Sequence, residues 1–184
     1  METPVPDEIL VVALQEGDDT AFDQLLARYK RPVINFIYRM LNDASAAEDA
    51  AQEVFVKVYR NIHRFKPGKG RTFSTWLFQI ARNHALDAIR YQSRRPLEFR
   101  DMSENGAANL AATPPTADAR LVQEEQVATI ARAIQKLPMK QRTAMVLTVY
   151  QEMSQAEIAT VMGCSVRAVE SHLARARKAL RLLL

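Results

Sequence analysis

Apolar residues recur at three- and four-residue intervals along most of the chain, the period of helices with one buried face. Alternating runs, β-branched clusters and Asn-Gly turns, the marks of strands and hairpins, are scarce. Ser45-Ala-Ala-Glu48 has the form of a capping box and predicts a helix from there to about Arg64. Ala47, Ala51, Val54, Phe55, Val58 and Ile62 on it should face a core. Two helices are predicted before it, near Glu8–Glu16 and from Thr20 to about Leu41, with Pro32 kinking or splitting the second. The prolines and glycines of Phe65-Lys-Pro-Gly-Lys-Gly-Arg71 forbid a helix there. A further helix is predicted from about Ser74 to Gln92. Leu77, Ile80, Ala81 and Ala88 line one stripe, with His84 at its margin, and Gln79, Arg82, Asn83, Arg90 and Arg94 lie opposite.

This periodicity lapses over residues 95–119, where Pro96, Pro114 and Pro115 stand among small polar residues, so a flexible linker is predicted. It resumes at about Asp118 and continues to Leu137, where Pro138 stops it. Shorter helices should cover about Lys140–Tyr150, Gln155–Met162 and Val166–Leu182. The expected fold is therefore all-α: two small helical domains, residues 1–94 and 120–184, joined by a linker over 95–119.

Within the second domain the local signals converge. Ser154-Gln-Ala-Glu157 is a capping box, Gly163 stands where a left-handed C-cap is required, and Ser165 can cap the next helix. Ala159, Gly163 and Val169 have the spacing of a helix-turn-helix: a small residue at the crossing, the sharp turn, and a plug. In the last helix Val166, Val169, Leu173, Ala176 and Leu180 form an apolar stripe. Arg167, Glu170, Ser171, Ala174, Arg175 and Lys178 occupy the other side. A helix entering the major groove needs this division, with Arg able to read guanine and Glu cytosine. Lys178 and Arg181 look more like phosphate contacts.

Charge sharpens the picture. The net charge is +4, yet residues 1–50 carry four basic and ten acidic side chains, and residues 51–100 eleven basic and three acidic. From Ser165 onward five basic residues face only Glu170. Two separated basic regions suggest two contacts with a polyanion, and an acidic first quarter a different partner; solvated helix faces explain the charge about equally well. A single thiol, Cys164, excludes an internal disulfide and fits a reducing compartment. No apolar run is long enough to span a bilayer and the N-terminus lacks the features of a signal peptide, so a cytoplasmic protein without membrane insertion is expected.

The segments from Glu48 to Tyr59 and from Phe73 to Asn83, with Glu157-Ile-Ala159 and Arg175-Ala-Arg177 near the C-terminus, closely resemble the extracytoplasmic-function sigma factors. These are the smallest class of bacterial transcription-initiation factors. The resemblance runs from about Asp18 to Leu182, the linker excepted. It implies that Asp49, Gln52, Glu53, Val56 and Lys57 dock on the clamp helices of core RNA polymerase. The outward stripe Glu48, Asp49, Gln52, Val56 and Arg60, mixed in charge with one apolar residue, suits a protein interface.

The resemblance further implies that the loop after this helix and the helix beyond it recognise the melted minus-ten element, a flipped base being held by the loop. Phe65, Lys66, Lys69, Arg71, Arg82, Asn83 and Arg90 are the matching residues. Trp76 is expected in the core, supporting the loop. The minus-thirty-five element would be read by Arg167, Glu170, Ser171, Ala174, Arg175 and Lys178. Many family members have Gly-Thr-Val and a basic residue where this chain has Arg167-Ala-Val-Glu170, so no promoter consensus carries over.

Core RNA polymerase, promoter DNA as single strand and duplex, and an anti-sigma factor are the implied partners of a chain that is otherwise monomeric. No cofactor, metal or covalent chemistry is expected: His63, His84 and His172 lack partners at ligand spacing, and Pro67–Thr72 lacks the spacing of a phosphate-binding loop. Two rival functions stay open on the residues alone. One is a helix-turn-helix activator or repressor that binds duplex DNA without polymerase; the other is a helical adaptor that binds polymerase without DNA.

Overall fold

The computed structural model describes residues 4–68, 71–94 and 128–184. Among them every regular element is helical, and the sole β feature is an isolated antiparallel bridge between Gly68 and Arg71. Helix α1 (Asp7–Gln15) follows Pro6 and carries Asp7 and Glu8 in its first turn, where acids favour the helix dipole. Gly17, at φ +101°, turns the chain into α2 (Asp19–Leu41). Asp18 caps α2 by accepting from the Thr20 amide at 3.0 Å.

Pro32 lies inside α2 and does not split it. A proline costs the helix one backbone bond, and buried Val33, Phe36, Ile37 and Met40 hold the second half against the core. Asn42, left-handed at φ 59°, ends α2 and leaves Asp43 extended. Asp43 then caps α3 (Ala44–Asn61), accepting from the Ala46 amide at 2.9 Å. The capping box predicted at Ser45 and Glu48 is thus overturned, because the helix has already begun two residues earlier. At its other end α3 passes into a 3-10 turn over Ile62–Arg64 instead of remaining α-helical to Arg64.

Helix α4 (Phe73–Arg94) starts beneath Thr72, whose hydroxyl accepts from the Thr75 amide at 3.2 Å. Its buried face is Phe73, Trp76, Leu77, Phe78, Ala81 and Ala85; Ile80 and Ala88, expected in that stripe, are half-buried. Leu10, Leu14, Leu25, Phe36, Val54, Phe55 and Phe78 join α1 to α4 in one core, with Phe36 edge-on to Phe78 at 5.6 Å.

The second helical body comprises α5 (residues 128–135), α6 (Met139–Tyr150), α7 (Gln155–Met162) and α8 (Val166–Leu183). Ile134, Leu137, Val146, Leu147, Ile158, Val161 and Leu173 are its buried centre. The linker predicted over 95–119 and the predicted helix start near Asp118 lie outside the described residues.

The two bodies touch, α6 against α2 and α7 against α4. The last carbonyls of α2, which no helical amide can reach, meet side chains from the second body. Gln135 Nε2 donates to the Arg39 carbonyl at 2.7 Å, and an Arg142 guanidinium nitrogen to the Met40 carbonyl at 3.0 Å. Arg142 donates also to the Gln135 and Leu137 carbonyls, and the Arg39 guanidinium lies 3.5 Å from the ring centre of Tyr150.

Candidate functional site

Three surfaces carry the residues singled out in the sequence. The first is the outer face of α3. Ala47, Ala51, Val54, Phe55 and Val58 are buried beneath it, which leaves Asp49, Gln52, Glu53, Val56 and Lys57 exposed together on one side. Val56 is 49% exposed, an apolar side chain among charged ones. Gln52, Val56 and Arg60, at four-residue spacing, form a ridge with a depression on each side.

One depression is a groove of about 800 Å³ between α2 and α3, floored by Phe22, Leu26, Ile34, Phe55 and Tyr59 and rimmed by Lys30, Glu48 and Arg60. Phe22 packs edge-on to Tyr59 at 5.1 Å, and the Tyr59 hydroxyl donates to Asp19 at 2.9 Å, which fixes one wall. That hydrogen bond to a carboxylate is the chief reason the phenol is held above its ordinary pKa. The other depression, about 750 Å³, is polar and reaches His84 of α4. There His84 Nε2 lies 2.7 Å from a Glu53 carboxylate oxygen, so Glu53 also ties α3 to α4. The sequence pattern misses the apolar groove because its two walls belong to helices far apart in the chain; the half-buried Phe22, Leu26 and Ile34 beside the buried stripe of α2 were its only trace.

The second surface is the loop between the 3-10 turn and α4. Its first leg leaves the core at Phe65 and its second returns through Arg71 and Thr72. The Gly68–Arg71 bridge closes it, the Arg71 amide donating to the Gly68 carbonyl at 2.8 Å. Lys66 and Arg71 are exposed on these legs, Asn83 and Arg90 on α4. Lys69 lies outside the described residues.

Phe65 differs from expectation. It is only 3% exposed, stacked on Trp76 at 4.8 Å and edge-on to Phe73 at 6.3 Å. A ring between two aromatics at the root of a loop gains more from burial than from waiting in solvent for a base. Phe65 therefore supports the loop from below, as does Trp76, and presents no ring to a ligand. Arg82 is also less available than its neighbours. It is half-buried, and burial pulls its guanidinium below the ordinary arginine value, with Cys164 of the α7–α8 turn close enough to oppose the shift. It donates to the Asn83 side chain at 3.2 Å. Arg90 is paired with Asp87 at 3.0 Å in solvent.

The third surface is α8. Ser154 and Glu157 form the capping box of α7, the Ser154 amide donating to Glu157 at 2.8 Å. Gly163 is left-handed at φ 63°, and Ser165 caps α8 by accepting from the Ala168 amide at 3.2 Å. Ala159 and Val169 are buried at the crossing. Leu173 and Ala176 continue the buried stripe. Leu180 is half-buried, and Val166, placed in that stripe by the sequence, is exposed at the first position of the helix, where the buried stripe has not yet begun.

Arg167, Glu170, Ala174, Arg175 and Lys178 are exposed along about 16 Å of helix, and Ser171 is half-buried. Among the described residues none of the four charged ones is in an ion pair. A mostly basic face without ion pairs, on a helix that Ser165 caps directly after a tight turn, has the shape and charge to enter a major groove. Among the described residues no three His, Cys, Asp or Glu side chains converge to hold a metal ion, and no helix is long and apolar enough to cross a membrane.

The segments that carry the three surfaces fall within matches to known families. The family model for Sigma-70 region 2 matches residues 25–95, and that for Sigma-70 region 4 matches residues 128–180. The chain is 36% identical to the RNA polymerase sigma-H factor of Pseudomonas aeruginosa, over 98% of this chain and 94% of that protein. It is 36% identical to the ECF RNA polymerase sigma factor SigW of Bacillus subtilis, over 91% of each. To the ECF RNA polymerase sigma-E factor of Escherichia coli it is 32% identical, over 98% of this chain and 95% of that one. Among solved structures, CnrH in complex with the cytosolic domain of CnrY is similar at a TM-score of 0.71 and 30% identity, covering 96% of both chains. The sigma factor RpoE of Bartonella quintana, solved with the anti-sigma factor NepR, has the same fold at a TM-score of 0.70 and 23% identity, over 88% of this chain and 95% of that one.

Proposed function

The chain belongs to the extracytoplasmic-function sigma factors, and from that premise we propose that it binds core RNA polymerase through α3 and directs it to promoters read by α4 and α8. The observation that carries the reading is the coexistence, on one small chain, of an apolar-tipped docking ridge and a separate unpaired recognition face. A regulator acting alone on duplex DNA has no use for the first, and an adaptor no use for the second.

The ridge of Gln52, Val56 and Arg60, with the apolar groove against α2 on one side and the polar depression beside His84 on the other, is the surface that meets the polymerase clamp helices. Burying Val56 there supplies apolar area at the centre of a charged rim. The loop legs with Lys66 and Arg71, followed by Asn83 on α4, lie along the unpaired non-template strand at the minus-ten element. Exposed cations there follow the phosphates, and the loop backbone offers groups for an extruded base. Arg167, Glu170 and Arg175 face base edges of the upstream duplex, while Lys178 engages a phosphate. The chain does no covalent chemistry. Its contribution is differential binding, since the strand it holds is available only once the duplex has opened.

Control by an anti-sigma factor belongs to the same proposal, as does action in the cytoplasm. The test is run-off transcription and a gel shift with purified core polymerase. Specific transcripts and a shifted promoter are expected only when chain and core are both present. Val56→Glu should weaken core binding with no change in melting temperature. Tight duplex binding without core points instead to the free-standing regulator.

A further inference from the structure

The loop that the proposed function assigns to the extruded base is held from an unexpected quarter. Gln15, the last residue of α1, extends its side-chain amide across to the 3-10 turn that precedes the loop. Nε2 donates to the Ile62 carbonyl at 2.7 Å and to the Phe65 carbonyl at 2.8 Å, so both of its N–H groups are used. These carbonyls bracket the turn. Ile62 already accepts from the Phe65 amide at 3.0 Å, and the Phe65 carbonyl is the last backbone group before the exposed leg begins at Lys66.

Helix α1 is itself anchored. Asp7 at its start receives both the Arg28 guanidinium and the Tyr29 hydroxyl of α2, and the Val5 carbonyl receives Arg28 at 2.8 Å. Leu10, Val11 and Leu14 are buried. The amide at Gln15 is thus a fixed strut, and the direction in which the chain leaves Phe65 is set by α1 together with the Phe65–Trp76 stack.

We propose that Gln15 is a positioning residue for strand capture: its amide orients the first leg of the loop, through the Ile62 and Phe65 carbonyls, without itself touching DNA. The inference rests on the reading that this loop holds a base of the melted strand. The second leg has its own anchor in the Thr72 cap of α4, so loss of the strut loosens the first leg, which then keeps the Phe65–Trp76 stack and the Gly68–Arg71 bridge but not its tie to α1. A half-anchored loop still carries Lys66 and Arg71 and still attracts phosphate. What it loses is the fixed geometry needed to discriminate one base.

The experiment selects single-stranded hexamers from a randomised pool with holoenzyme reconstituted from core polymerase and the full chain. Wild type is compared with Gln15→Leu, which keeps bulk and loses both donors, and with Gln15→Glu, which keeps the shape and loses the donors when ionised. Lys66→Ala/Arg71→Ala serves as the loop control. Both Gln15 variants are expected to lose base preference at one position and to bind the wild-type hexamer about tenfold more weakly, whereas the loop control, which removes phosphate contacts, should weaken every hexamer alike and keep its preference. Preference elsewhere in the hexamer and core affinity should stay near wild type, while the melting temperature should fall by about 4–8 °C because two part-buried hydrogen bonds are lost.

Selection of the wild-type sequence with undiminished affinity by the Gln15 variants overturns the proposal. So does a parallel loss at every position together with core affinity, which makes Gln15 a general support of the domain; if Gln15→Leu fails to fold, the same criteria apply to Gln15→Glu. If wild-type holoenzyme selects no sequence, or the loop control binds the hexamers as tightly as wild type does, the assignment of the loop fails and not the role of Gln15 within it.

Discussion

Replacing Phe65 by alanine separates a base-contacting ring from a buried one. Its side chain is 3% exposed, stacks on Trp76 at 4.8 Å and meets Phe73 edge-on. Truncating a buried phenylalanine costs about 3–5 kcal/mol, and part of that is the aromatic pairing, about 1 kcal/mol per pair. Against a total stability of about 5–15 kcal/mol for an ordinary domain, Phe65→Ala should leave the first helical body folded but near its limit. Phe65→Leu, which refills most of the volume, should cost much less. Urea denaturation of the full chain, followed by circular dichroism and by Trp76 fluorescence, reads both. The lone tryptophan reports the site itself. A loss below about 1 kcal/mol for Phe65→Ala, with the Trp76 signal unchanged, would refute the buried placement and return the ring to the DNA surface.

Gly163→Ala should destabilise the second body by about 1–2 kcal/mol through backbone strain alone, because φ is 63° and an added Cβ meets nothing within 4 Å; a neutral result in the same denaturation assay contradicts the left-handed turn. Burial first, then Lys140 and Arg175, hold His172 below its ordinary value of 6.5. The unfolded chain then takes up this proton before the folded one as pH falls through about 6.5, so stability is full above that pH and declines below it. His172→Gln should flatten that part of the stability profile, and an unchanged profile dismisses the assignment. Gln135→Ala with Arg142→Ala leaves the end carbonyls of α2 without their partners from the second body. The radius of gyration in solution scattering should rise at constant helix content; an unchanged radius means that α2 and α6 are held together by other contacts.

What the residues disclosed in advance followed the range of the interactions involved. The turn between α7 and α8 is made by neighbours: Ser154 with Glu157, Gly163 with itself, Ser165 with Ala168. Each is legible because each is local, and the boundaries of α7 were read correctly. Where two local solutions competed, pattern alone chose wrongly. Ser45 and Glu48 have the right spacing for a cap, but Asn42 turning left-handed hands that role to Asp43.

Contacts between distant segments left less trace. The resemblance alone points Phe65 at DNA, and nothing in a loop sequence reports that its ring meets Trp76. The groove beside Val56 needs α2 and α3 side by side. The Gln15 strut joins residues 47 and 50 positions apart, and the contacts of Arg142 and Gln135 with α2 span about a hundred. The exposed face of α3 was legible nonetheless, since a helix whose inward stripe is known has its outward stripe fixed by the same period.

The most direct measurement of the whole account is a permanganate and nuclease footprint of one mapped promoter, taken with the chain alone, with core polymerase alone and with both. No specific protection is expected from either component by itself. Together they should protect an upstream duplex segment and render thymines of the minus-ten segment reactive. Specific protection by the chain alone, or a protected upstream segment with no reactive thymines when both are present, would contradict the account.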